Sequence, residues 1–180
     1  MPERFPVCDS LEQLLDGATH QGELQRIDSL SGATFSRVER DGEPYVVKHL
    51  SLANDWVMRA TRDTVFRPVL MWESGLYAAL PDCLDSTVVG VARYAGGADV
   101  MMRDISPWLV PEGDAAFPLA LHEQVLDHMA GLHAAFWDWS DEAGLCPPAD
   151  RWTFLSLRTA EAEQAGSDPV PAPPPASFAK

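Results

Sequence analysis

The period of the apolar positions alternates along the chain between helical and extended. Leu11, Leu14 and Leu15 recur at helical spacing behind Ser10, a good capping residue, so residues 10–16 read as a short helix. From Gly22 to Ser51 the texture becomes that of strands. Glu23 to Leu30, Thr34 to Arg40 and Pro44 to Leu50 form three runs, broken at Ser31-Gly32-Ala33 and at Asp41-Gly42, a strong hairpin signal. A three-stranded antiparallel meander is the natural assembly. A polar, Arg-rich stretch with Trp56 follows, then a helix from about Asp63 to Leu80, interrupted near Pro68 and ended by Pro81-Asp82. Ser86 to Tyr94 and Ala98 to Ile105 fit two more strands, joined by Ala95-Gly96-Gly97. Pro118 suits the start of a long helix, whose Val125, Met129, Leu132, Phe136 and Trp139 trace one face and which ends around Ser140. Residues 141–166 allow one more short helix. Ser167 to Lys180 carries five Pro in fourteen residues, which rules out regular structure there.

This order predicts an α+β fold, a five-stranded antiparallel sheet with one helix against it and a helical extension after it. Two charges fall on apolar positions of that plan. In Tyr45-Val46-Val47-Lys48-His49-Leu50 the side chains alternate, so Lys48 shares a face with Val46 and Leu50. Helical spacing puts Glu73 on the stripe of Leu76, Tyr77 and Leu80. An unpaired buried charge costs several kcal/mol even after relaxation, so the two are expected to meet. Taken alone, the pair reads equally as a structural ion pair or as two side chains that snorkel to solvent.

Composition narrows the partners. The chain has 180 residues, 46% hydrophobic with six Trp, enough for a real core. Its formal charge of −14 argues against nucleic acid or an anionic membrane surface and is compatible with a cationic small molecule, although excess carboxylates also serve solubility alone. Cys8, Cys83 and Cys146 lie far apart with no C-x-x-C, so neither a disulfide framework nor a zinc site is indicated. His122 and His133 share a helix face without a third ligand nearby, and no metal site is assigned. The N-terminus opens no apolar signal run and no stretch of 18 apolar residues occurs, so a soluble, cytoplasmic protein with no membrane partner is expected.

Several segments, in order, resemble the aminoglycoside-phosphotransferase-like branch of the protein-kinase-like family, over roughly residues 22–140. Ser31-Gly32-Ala33-Thr34-Phe35 falls where the nucleotide-covering loop lies, and Val46-Val47-Lys48 is similar to the phosphate-lysine strand. Glu73-Ser74-Gly75-Leu76-Tyr77 resembles the helix carrying the glutamate partner of that lysine. Val100-Met101-Met102-Arg103-Asp104-Ile105 looks like the fifth strand running into the hinge. Residues 126–137, from Leu126 through Gly131-Leu132-His133 to Trp137, resemble the first long helix of the family's C-lobe.

The resemblance implies a kinase-like N-lobe over residues 1–106, the hinge and the start of a helical C-lobe over 107–166, and a Pro-rich disordered tail over 167–180. It implies ATP as the nucleotide and Mg2+ as its metal. Lys48 would attract the phosphates, Glu73 would hold it extended, Ser31 and Gly32 would lie over the phosphates, and Met102, Arg103, Asp104 and Ile105 would receive the adenine. Gly32 and Ala33 would leave room for backbone N–H groups to approach the phosphates. Three departures stand out. The loop has one glycine rather than three. None of His20, His49, His122, His128 or His133 is followed by Gly-Asp or Arg-Asp, and no Asp-Phe-Gly occurs. Asp138-Trp139 superficially resembles the metal-binding Asp but closes a helix. No catalytic or metal-binding residue is therefore assigned within these 180 residues, and this chain by itself is expected to be inactive. It reads as the nucleotide-binding part of a small-molecule kinase acting on a hydroxyl, the acceptor unknown. The alternatives are a non-catalytic nucleotide-binding or protein-interaction module, and a plain α+β domain in which Lys48 and Glu73 never meet. An incomplete C-lobe would leave the apolar face of residues 121–139 partly uncovered and prone to self-association.

Overall fold

A computed structural model describes residues 6–24, 31–109, 118–153 and 156–165. Residues 25–30 of the expected first strand and the Pro-rich segment 167–180 lie outside the described residues. The fold is α+β, built on a five-stranded antiparallel sheet. The strands are β1 (Ala18–Glu23), β2 (Thr34–Arg40), β3 (Glu43–Ser51), β4 (Val88–Tyr94) and β5 (Gly97–Arg103), in the spatial order β1-β2-β3-β5-β4. β3 is thus the middle strand.

Local chemistry sets most of these bounds. Asp41 and Gly42 take positive φ of 55° and 80°, the twist a two-residue hairpin requires, and so β2 pairs with β3 from Arg40–Glu43 back to Thr34–His49. β2 has the bounds its pattern predicts. β1 spans Ala18–Glu23, after the short helix α1 (Leu11–Leu14) capped by the Ser10 side chain, and shares only Glu23 with the run expected from Glu23 to Leu30.

The helical segment between the sheet's two parts differs more from expectation. In place of one helix over 63–80, there are α2 (Trp56–Ala60), α3 (Arg67–Glu73) and a 3-10 turn at Leu76–Ala79. The Asp55 carboxylate caps α2, accepting from the Met58 N–H. Phe66 precedes α3 with φ 56°, a left-handed break after which the helix starts anew, with Pro68 in its first turn, where a missing N–H costs no intrahelical bond. Gly75, at φ 75°, ends α3 two residues after Glu73.

The sheet buries both faces. On one, Leu50, Val91, Ala98 and Val100 pack with Met58 of α2 and Val69 of α3. On the other, Val38, Val47, Ala92 and Met101 pack with Leu14 of α1. Cys8 adds a parallel bridge to Ala92, its N–H donating to Val91 O at 3.0 Å, which covers part of the β4 edge.

After the sheet come α4 (Leu119–Ala135), α5 (Pro148–Thr153) and α6 (Leu157–Gln164), two short helices where one was expected. The long helix stops at Ala135, short of Ser140. Arg67 ties this region to α3 by donating to Leu145 O, and Arg62 lies 3.7 Å from Asp150. α4 itself buries no residue; Leu121, Val125, Leu126 and Met129 are exposed. No helix among the described residues is long and apolar enough to cross a membrane.

Candidate functional site

Paired residues of neighbouring antiparallel strands share a face, so the sheet register decides what surrounds Lys48. Phe35 on β2, Lys48 on β3, Val100 on β5 and Val91 on β4 form one cross-strand row. Its face is the one covered by α2 and α3. The expectation that Lys48 points where Val46 and Leu50 point therefore holds. On this face Phe35 of β2, Val46 of β3 and Met102 of β5 are only half-buried, leaving an apolar strip beside the lysine.

Lys48 Nζ stands 5.8 Å from the centre of the Phe35 ring, within cation–π range. Among the described residues no carboxylate lies within ion-pair distance of it. It lines a recess of about 170 Å³ together with Ser31, Leu50, Asp55, Asp63 and Arg67. The two carboxylates of that recess are occupied by backbone. Asp55 caps α2, and both oxygens of Asp63 accept from the Arg67 N–H, at 3.0 and 3.1 Å. Their hydrogen bonds are not legible in the sequence, where Asp55 is a polar residue of the Arg-rich stretch and Asp63 marks only the expected start of a helix.

Glu73 does not meet Lys48. α3 packs against β4 and β5 rather than over β3, and Glu73 Oε2 lies 3.2 Å from Arg93 Nη1 on β4. Arg93 is opposite Ala98, one row along from Lys48, on the same face. Glu73 lies over the sheet face that carries Lys48, but the predicted stripe and the predicted partner are both wrong, because Gly75 ends α3 before Glu73 can align with Leu76 and Leu80.

The small-residue loop also has a different reason for its glycine. Gly32 has φ +91°, and a Cβ there would stand 1.9 Å from Asn54 O. Trp56 N–H donates to Ser31 O at 3.1 Å. The room left by Gly32 is filled by the backbone entering α2, and Ala33 is buried in the core. Ser31 alone of this loop faces the Lys48 recess.

At the Tyr45–Arg103 end of the sheet lies a cavity of about 1050 Å³, lined by Arg37, Tyr45, Arg103, Asp104, Ile105 and Trp108. Three of the four predicted hinge residues thus border one open space, while Met102 lies behind it on the Lys48 face. Two hinge N–H groups are already committed: Arg103 N donates to Thr87 O at 2.9 Å and Asp104 N to Pro44 O at 3.2 Å. The side chains are paired too, Arg103 with Asp85 at 2.6 Å and Arg37 with Asp104 at 3.0 Å. Hydrogen bonding from Ser106, against the opposing effect of burial and with help from Arg37, holds the Asp104 carboxyl below its usual range. Asp104 is four residues from Val100, the partner of Lys48, which at ~3.3 Å per residue puts the hinge roughly 13 Å from the lysine along the strands.

The opposite face holds a polar cluster that the sequence pattern did not reveal. Ser36, His49 and Asp99 are hydrogen-bonded in series, with Asp99 fully buried. Tyr94 stands beside Asp99; burial of its hydroxyl, reinforced by the nearby carboxylate, pushes it up to about 12. Comparisons with protein-family models, with curated proteins and with solved structures each found no match.

Proposed function

We propose that this chain is the nucleotide-binding part of an ATP-dependent phosphotransferase acting on a small-molecule hydroxyl, a kinase-like N-lobe followed by the first helices of a C-lobe. The observation that carries the reading is Lys48: a half-buried lysine on the middle strand, beside half-buried Phe35, Val46 and Met102 and without a carboxylate partner among the described residues. An ammonium so placed is incompletely compensated, and an anionic ligand is what would compensate it. The order of elements, three meandering strands, a helical segment and a returning hairpin beside the third strand, supports the same reading.

In this reading the adenine lies toward Met102 and the cavity at Arg103, Asp104 and Ile105, and the phosphates lie at Lys48 and Ser31. Mg2+ would be carried by the nucleotide, with carboxylate ligands supplied from outside these 180 residues. Lys48 would neutralise phosphate charge and orient the chain of phosphates; the base that takes the acceptor proton is not among the residues assigned here.

The Arg93–Glu73 pair favours a second reading, a plain α+β domain in which Lys48 has no ligand. Calorimetric titration with Mg·ATP separates them. Wild type is expected to bind, and Lys48→Ala to bind at least about tenfold more weakly, the loss typical of one hydrogen bond to a charged group. Equal affinity of the two proteins, or no binding by either, supports the plain domain.

A further inference from the structure

Ser36 on β2, His49 on β3 and Asp99 on β5 form a side-chain chain across three strands, on the face opposite Lys48. His49 Nδ1 lies 2.6 Å from Asp99 Oδ1, and Nε2 lies 2.9 Å from Ser36 Oγ. With Asp99 ionised, Nδ1–H donates to the carboxylate and the neutral ring accepts at Nε2 from the serine hydroxyl. The residue types and their order are those of a hydrolytic triad. The surroundings do not suit that chemistry. Ser36 is buried on an inner strand whose N–H groups serve the ladders on either side, so the backbone there offers no oxyanion hole.

The register points to a different role. Ser36, His49 and Asp99 are the immediate chain neighbours of Phe35, Lys48 and Val100, the cross-strand row that contains the lysine. Successive side chains of a strand point to opposite faces, so the chain lies directly beneath that row. A one-residue slip of β3 would turn Lys48 onto the α1 side of the sheet. The same slip would strip His49 from a carboxylate that is 0% exposed, leaving a buried charge without its partner.

We propose that Ser36, His49 and Asp99 clasp β2, β3 and β5 in the one register that presents Lys48, beside Phe35, to an anionic ligand on the opposite face. The three are positioning residues. That the ligand is a nucleotide phosphate rests on the function proposed above; that the clasp fixes Lys48 does not. Hydrogen bonds to a charged group are about twice as strong as neutral ones, and the two in this chain join three strands, with Asp99 Oδ2 left without a hydrogen-bond partner among the described residues.

The chain has only two lysines, Lys48 and Lys180, so protein grown with 13C-labelled lysine gives two side-chain Cε signals to follow by NMR. Ser36→Ala and Asp99→Asn are each expected to shift the Lys48 signal in the absence of any ligand, with Lys180 unmoved, and Ser36→Thr to return it. In the same proteins Ser36→Ala is expected to weaken Mg·ATP binding about three- to tenfold, the range of one net hydrogen bond, while adenosine, which has no phosphates, binds as before. A Lys48 signal that stays in place in both folded variants overturns the clasp. So does an equal loss of ATP and adenosine affinity. If Lys48 moves as expected but wild type binds no Mg·ATP, the clasp stands and the nucleotide reading fails.

Discussion

Lys48 occupies the face that its strand spacing predicts, whereas Glu73 does not share the helical stripe expected for it, and each has a different neighbour from the one expected. Lys48 rests against Phe35 and Glu73 against Arg93. The charges were legible because they interrupt apolar stripes, but partner choice depends on where α3 ends. That is decided by Gly75, whose left-handed φ a stripe argument does not capture. The His49–Asp99 contact is invisible in sequence for a related reason. It joins residues 50 apart through the β3–β5 register, and neither residue has a local signature. Because both Glu73 and Arg93 are about a third exposed, their pair adds little: Glu73→Gln is expected to cost under about 1 kcal/mol in urea denaturation. It is also expected to leave nucleotide affinity unchanged, since Glu73 does not orient Lys48. A loss of affinity comparable to that of Lys48→Ala would show that the two residues meet when ligand is bound.

At the scale of elements, strands were easier to read than helices. β2 and β3 are bounded by Asp41-Gly42, a turn whose backbone geometry follows directly from its residue types, and their alternation reports two buried faces. α2 was missed because its short span carries Arg and its cap, Asp55, contributes through a hydrogen bond rather than through periodicity. The single glycine of the Ser31 loop leaves no room for phosphate, because the space beside it is taken by Asn54. Strand alternation also divides the labour of two adjacent methionines. Met101 is fully buried against Leu14 and Val38, whereas Met102 lies half-buried on the Lys48 face. Met101→Ala is expected to lose about 2–5 kcal/mol of stability with nucleotide affinity retained in the folded fraction. Met102→Ala is expected to do the reverse, weakening nucleotide binding with a smaller stability loss. Thermal denaturation and ATP titration of both variants check the pair.

At the scale of the whole molecule, the apolar face expected to be partly uncovered is so: Val125, Met129 and Trp139 are exposed, while Leu132 and Phe136 are half-buried. Leu121, Val125, Leu126 and Met129 of α4 are open, as are Trp137 and Trp152. Contiguous exposed apolar surface drives association, and the charge of −14 opposes it only while salt is low. Sedimentation velocity on this chain is expected to show concentration-dependent association that strengthens with salt, and Val125→Glu with Met129→Glu to reduce it. A monomer at every concentration and salt level would contradict this.

The central claim is that Lys48 receives the phosphates of a nucleotide. It is tested most directly with an acyl-phosphate derivative of ATP, which transfers its acyl group to a lysine amine held at the phosphates and releases ATP, followed by peptide mapping. The account predicts acylation of Lys48 that excess Mg·ATP suppresses and adenosine does not, with Lys180 modified slowly and without protection. Unmodified Lys48, or modification of both lysines that ATP fails to suppress, would contradict it.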